Sequence, residues 1–489
     1  RFRQGECSSF ESLASSVRAR ARPAEKPPEF EHRDDGDPPK ADELVDRASI
    51  DALTASFNRA SAHLALPAAD GTVAPRSLPH AKLSEVVRQV FERSLKDGST
   101  HKSLVFVRRL DTVEELRDAL LHEFQKEVDH RLAVWRDWLL APPAGVKLRA
   151  QPWRDGQFWN TPAHNEDEGP VEPEDRADRD DDGEIAPVAV SLDYFKAIQD
   201  KGKLNSFQAR LRDRSLARNP FRFFLQARPE DSLPQDDAAW AAADGWWTRL
   251  VALCAGEEAH AWAAADPWKL ATLKRCLLQS IRQSDLLVDL YVLRRYVDQV
   301  DDQPQVLPEL LLRFLDGNLG PAPLASYAAN WRERFRRWIA GFDSIVDECL
   351  RGEGATEWPQ LHDRANGAFD RMQPVFGRSG RLEDRNAVLQ FKFPTHPNVL
   401  VCTDVLKEGV DLHLFCDEVV HYGVAWTPGD LEQRIGRVDR FGSQISRRLG
   451  AYRPAADPRG APRLQVEFPY LDGTLDAPQV TRVILAKVR

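Results

Sequence analysis

The 489-residue sequence predicts an α/β fold: a parallel sheet with helices on both faces, interrupted after its first strand–helix unit by a large, mainly helical insertion. Three observations lead there. Short apolar runs recur at 103–107, 399–402 and 418–422, as expected of strands buried on both faces of a parallel sheet. The first run is followed by a helix with capping-box spacing, Thr112 and Glu115. Between about 128 and 370, tryptophans and charged helical patterns replace strand signals.

Along the chain, residues 1–22 read as helix, with Leu13 and Val17 among arginines after Ser8-Ser9-Phe10-Glu11. Residues 23–40, rich in Pro, Asp and Glu, read as a solvated linker. Helical spacing returns over 41–66 and over 81–97, where Leu83, Val86, Val87, Val90 and Phe91 share a face. Within 128–370, helices are expected at 189–200, 204–216, 238–254, 266–299, 306–316 and 323–351. The acidic, proline-containing stretch 165–184 reads as disordered. From Arg385 the strand–helix grammar resumes. A helix ends near Phe391, ahead of Pro394 and Pro397, and the strand Val399–Cys402 follows. After 418–422, Thr427 and Pro428 open a helix as N-cap and first-turn proline, with Gly442 expected to end it. A last strand is expected at 464–468, and a helix from about Pro478.

Composition narrows the function. A net charge of −9 argues against whole-surface attraction to nucleic acid, so any such contact falls to local basic strips. The six cysteines (Cys7, Cys254, Cys276, Cys349, Cys402, Cys416) include no C-x-x-C pair, which argues against a zinc ribbon or disulfide framework and fits a reducing cytoplasm. Neither a signal peptide nor an apolar run of membrane-spanning length is visible. The only methionine is Met372, so the sequence reads as a piece of a longer polypeptide.

The chemistry concentrates in two segments. In P-G-D-L-E-Q-R-I-G-R-V-D-R-F, a helix through Phe441 would set Gln433, Arg437 and Arg440 on one face at i, i+4, i+7, with Gly436 opening space beside them. Forked guanidiniums suit a polyphosphate. The plainer alternative pairs Arg437 and Arg440 with Asp430, Glu432 and Asp439 on a solvated face. Upstream, Thr403 and Asp404 follow a strand at the end where open α/β sheets bind ligands. There a threonine hydroxyl suits a backbone phosphate, Gly409 admits a close ligand, and Asp411 can accept from a ribose hydroxyl.

T-D-V-L-K-E-G-V-D-L and Q-R-I-G-R-V-D-R, in this order and spacing, resemble motifs V and VI of superfamily 2 helicases, and 104–112 resembles motif IV. The wording through Phe441-Gly442 is most similar to bacterial Swi/Snf-type translocases, including the RNA-polymerase-associated one. The resemblance implies a second RecA-like domain that works with ATP and Mg2+ on nucleic acid, DNA rather than RNA. It implies Arg437 and Arg440 on the γ-phosphate, Arg440 as the finger, and Gln433 assisting. Gly409, Asp411 and Gly436 would line the nucleotide, and Thr403, Asp404 and Arg108 the nucleic-acid side.

By the same resemblance, residues 1–80 are expected to follow a first RecA-like motor domain, which would hold ATP and Mg2+. Residues 81–127 and 371–489 would form the second motor domain and the start of a C-terminal extension, with 128–370 inserted. The sequence has no G-x-x-x-x-G-K-[ST] loop, so this piece is expected to be inactive alone. Arginines among aromatics at 207–223 and Trp331–Trp338 read either as base-stacking surfaces or as amphipathic helices packing their rings inward. His413 and His421 read as framework histidines, with no metal expected. Anti-phage defence is the role expected by analogy, beside polymerase remodelling and DNA repair. From a different class, a non-catalytic interaction module would use the insertion as a docking platform for a protein partner.

Overall fold

The structure, a computed structural model, describes residues 52, 80–140, 247, 249–256, 267–297, 307–351, 356–369, 372–378, 385–406, 410–425, 427–453, 460–474 and 476–488. The expectations for 1–22, 23–40, 41–66 (residue 52 aside), 165–184, 189–200 and 204–216, and the arginine–aromatic stretch 207–223, lie outside the described residues.

Apolar four-residue runs form the centre. β1 (Ser103–Phe106), β2 (Val375–Arg378), β3 (Val399–Cys402), β4 (Glu418–His421) and β5 (Gln465–Glu467) make one parallel sheet in the order β2-β3-β1-β4-β5. Alternation of side chains splits β1 to β4 between two cores. Val105, Val375, Val399, Val401 and Val420 join the larger core, whereas Leu104, Phe106, Phe376, Leu400, Cys402 and Val419 join a second core on the other face. Burial on both faces is why these strands read as apolar runs without alternation. β2 is not marked by an apolar run, because Gly377 and Arg378 make up its second half.

The helices divide between the two faces. α1 (Ala81–Ser94) buries Val86, Val87 and Val90, the face its spacing predicts, and is capped by His80, whose Nδ1 accepts from the Leu83 amide at 3.2 Å. α2 (Leu110–Leu140) starts two residues before Thr112, so that threonine lies inside the first turn rather than capping it. The same helix then runs 31 residues without a break.

α3 (Pro267–Arg282), α4 (Leu286–Val297), α5 (Leu307–Leu315) and α6 (Ala325–Ala340) fall within the helical segments expected from spacing. α6 continues through Phe342–Ile345 into a π-helical turn at Val346–Leu350, and α7 (Trp358–Gly367) follows. Helical residues 249–255 answer to the segment expected at 238–254. Trp331, Phe335 and Trp338 are fully buried, as the amphipathic reading of that stretch requires. But Arg334, which that reading leaves outside, is buried with them, its Nη2 donating to the Ser99 carbonyl at 2.6 Å. These helices share the larger core with one face of the sheet. α8 (Arg385–Phe391), α9 (Pro428–Ile435), α10 (Gln444–Ala451) and α11 (Asp476–Val488) complete the described helices. Among the described residues, no helix is long and apolar enough to cross a membrane.

A buried ionic network joins this helical layer to the turn before β3. Arg131 of α2 pairs with Asp285 at 2.9 Å and with Asp289 at 3.1 Å, all three side chains being buried. Trp135 and Tyr327 donate to Asp289 at 2.7 and 2.9 Å, and the Arg131 guanidinium lies 4.1 Å over the Tyr327 ring. His396, from the turn, reaches Asp285 at 2.9 Å. Burial works to raise the Asp285 carboxyl, but Arg131 and His396 outweigh it and hold it well below the usual range.

Removing one partner from such a cluster leaves a buried charge uncompensated. Arg131→Ala is expected to cost about 3–5 kcal/mol of folding stability. Denaturant unfolding of the variant checks this, and an unchanged midpoint would show that the cluster contributes nothing net.

Candidate functional site

Three connections meet at the carboxyl ends of the central strands. Arg108 follows β1, Thr403 and Asp404 follow β3, and Gly423 follows β4. The Gly423 amide bonds the Phe106 carbonyl at 3.0 Å. A Cβ at Gly423 would lie 2.5 Å from Cγ of Arg108, so only glycine lets these two connections close up. Thr403 is half-buried, its amide on the Arg378 carbonyl at 3.3 Å, and Asp404 opens the single 3₁₀ turn Asp404–Leu406. Gly409 lies outside the described residues.

α9 begins as expected: the Thr427 hydroxyl accepts from the Asp430 amide at 3.1 Å, and Pro428 occupies the first turn. It ends earlier than expected, at Ile435 rather than Gly442. The Arg437 carbonyl, which a continuing helix would need for the residue 441 amide, instead accepts from the Leu412 amide at 2.9 Å. Residues 436–442 therefore form turns, and the helical i, i+4, i+7 face does not exist. Gln433 is exposed in the last turn of α9, while Arg437 and Arg440 project from the turns beyond it. At Gly436 a Cβ would come within 3.0 Å of the Glu432 carbonyl, so the glycine serves the tight helix end locally.

The turns are joined to the segment after the 3₁₀ element. Arg437 Nη1 donates to the Val410 carbonyl at 3.3 Å. Arg440 Nη1 sits 2.6 Å from Asp411 Oδ1, both side chains about 40% exposed, and its Nε donates to the Gly436 carbonyl at 3.0 Å. The acid that Arg440 meets is Asp411. An exposed pair of this kind is worth ~0.2–1 kcal/mol, little enough for a phosphate to displace it. The two motif segments are thus brought together with two guanidiniums in reach of solvent, a fit for an incoming polyphosphate.

Arg434 was missed by sequence reasoning. Its side chain is wholly buried, with Nε and Nη2 on Asp404 Oδ1 at 2.7 and 2.6 Å and Nη1 on the Gly423 carbonyl at 2.8 Å. The guanidinium also lies 4.9 Å over the Phe106 ring. One residue thereby ties α9 to the ends of β1, β3 and β4. Asp404, expected on the nucleic-acid side, is engaged in holding this arginine. The signal was present, since Arg434 lies on the buried face of α9 with Leu431 and Ile435, but spacing alone does not name its partner.

The histidines have framework surroundings. His421 stacks between Phe106 and Phe468, with ring centroids 6.0 and 4.8 Å away. His413 faces Glu348 at 3.5 Å, and burial lowers its pKa. Burial pushes the thiols of Cys254 and Cys349 up to about 12, so neither supplies a thiolate at neutral pH.

Comparison with known proteins agrees with this geometry. Residues 371–442 match the family model of the helicase conserved C-terminal domain. Over 46 residues the chain is 44% identical to the "Uncharacterized ATP-dependent helicase YqhH" of Bacillus subtilis (strain 168). That alignment covers 9% of this chain and 8% of that protein. No solved structure matches. Residues 371–442 are therefore similar to a helicase C-terminal domain, and the parallel sheet is consistent with a RecA-like α/β fold.

If Arg434 fastens α9 to the sheet, Arg434→Ala should destabilise the fold by about 1.5–3 kcal/mol, the scale of a hydrogen bond to a charged group. Arg434→Lys should recover only part, because an ammonium cannot reproduce the fork. Thermal or denaturant unfolding of both variants measures it; equal stability of Arg434→Ala and the parent would remove the fastening role.

Proposed function

We propose that this chain supplies the second motor half of an ATP-dependent nucleic-acid helicase or translocase of Swi/Snf type, acting on DNA. Residues 81–127 and 371–489 carry that half, and the helices of 128–370 offer a surface to a protein partner. The observation that supports it most is the pair Arg437 and Arg440, held beside the 410–412 segment with their guanidiniums open to an incoming phosphate.

In this reading, ATP with Mg2+ is held by a first RecA-like domain, whose phosphate-cradling loop this sequence does not contain. Domain closure brings that nucleotide against the motif VI turns. Arg440 then leaves Asp411 and meets the γ-phosphate, Arg437 joins it, and Gln433 assists from the end of α9. Charge spreading over the transferred group's oxygens is stabilised by such arginines, on the order of 10³–10⁵ in rate. Asp411, released, accepts from a ribose hydroxyl, and Gly409 and Gly436 let the nucleotide approach. Thr403 and Arg108, at the ends of β3 and β1, contact the nucleic-acid backbone. Asp404 contributes by holding Arg434 rather than by touching phosphate. Backbone contacts position the track without reading sequence. Cellular roles in keeping with the reading are anti-phage defence and remodelling of RNA polymerase on DNA.

The test is ATP hydrolysis by the full-length protein with double-stranded DNA, single-stranded DNA or RNA. Polymer-stimulated hydrolysis falling at least about a hundredfold in Arg440→Ala is expected. Hydrolysis that is absent, or indifferent to polymer and to the variant, contradicts the motor and favours a non-catalytic module. Separately, Arg108→Ala should weaken DNA binding uniformly across sequences and lower the salt-dependence slope by about 1. An unchanged slope removes Arg108 from the track.

A further inference from the structure

Phe441 is 100% exposed, whereas the next most exposed large apolar residue among those described, Leu485, is 56% exposed. The ring is not in water because its loop is loose. Leu412 bonds the Arg437 carbonyl at 2.9 Å, Ser443 bonds the Arg440 carbonyl at 3.1 Å, and Arg447 bonds the Gly442 carbonyl at 2.6 Å. Val438 is buried in the second core, and Gly442 turns the chain at φ +75°. The backbone therefore presents the ring outward in a set position. A fixed, fully hydrated aromatic beside arginines has the make-up of an interface anchor.

Its place in the chain says what would cover it. Phe441 directly follows Arg440, and consecutive Cα atoms are about 3.8 Å apart. In the motor reading, a surface that brings a triphosphate to Arg440 comes within reach of its exposed neighbour Phe441. In that reading the surface is the first RecA-like domain, which holds the nucleotide. Val405, 47% exposed beside the Asp404 that grips Arg434, adds a second apolar residue at the motif segments.

We propose that Phe441 is the anchor of the domain-closure interface: its ring docks on the protein face that carries the nucleotide, next to the phosphate-cradling loop, and its burial helps hold the closed state. The proposal rests on the motor reading above. It assigns to Phe441 a contact with protein rather than with a nucleobase.

The test compares Phe441→Ala, Phe441→Leu and Arg440→Ala in the full-length protein. Because the ring is wholly exposed, Phe441→Ala should leave thermal stability and nucleotide-free DNA binding unchanged. Polymer-stimulated hydrolysis should fall roughly tenfold to a hundredfold, equivalent to about 1.4–2.8 kcal/mol at 1.4 kcal/mol per decade, and Phe441→Leu should recover most of it. An environment-sensitive dye on Phe441→Cys should shift to the blue with a non-hydrolysable ATP analogue. Loss of activity in Arg440→Ala with none in Phe441→Ala overturns the anchor and leaves the motor standing. Weakened DNA binding without nucleotide in Phe441→Ala would assign the ring to base stacking and overturn it too. Indifference in both variants overturns the anchor together with the motor.

Discussion

The candidate site depends on one buried fork, Arg434 on Asp404. A guanidinium with no solvent of its own is costly to bury unless its donors are matched, and here three strand ends supply the partners. Asp404 comes from β3, the Gly423 carbonyl from β4, and the Phe106 ring from β1. The fork sits in the last turn of α9, directly before the turns that carry Arg437 and Arg440. The small core of Leu431, Val424, Ala425, Val480 and Val483 then seats α9 against α11. The solvent-facing arginines need no strong partners of their own. Their half-exposed contacts with Val410 and Asp411 can be exchanged while the scaffold beneath stays put.

A second constraint comes from the sheet being parallel. Both of its faces must be covered, and the helices between β1 and β2 cover one of them. α2 runs without interruption from the first strand–helix unit into that layer, and the Arg131–Asp285–His396 network closes it onto the turn before β3. The covering layer and the sheet are consequently one core. A strain or a partner acting on those helices would act on the turn that leads directly into β3, whose carboxyl end carries Thr403 and Asp404.

Much of this was legible in the sequence. The strands at 103–107, 399–402 and 418–422 announced themselves because burial on both faces demands continuous apolar residues. The inward side of α1 followed from helical spacing, and the start of α9 from Thr427 and Pro428. The end of α9 was not legible, because what stops it is a long-range bond from Leu412 to the Arg437 carbonyl. Arg434 was passed over for a related reason. Its burial is readable from the spacing of Leu431 and Ile435, but its value lies in partners from three other segments. Local pattern names which residues can do chemistry; tertiary contacts decide which of them face solvent and which hold the frame.

The most direct test of the account is a structure of the full-length protein bound to double-stranded DNA and ADP–aluminium fluoride. The account predicts the Arg440 guanidinium within about 3 Å of the fluoride group, having left Asp411, with Arg434 still on Asp404. Arg440 remaining on Asp411, with no arginine of this chain at the γ-position, would contradict it.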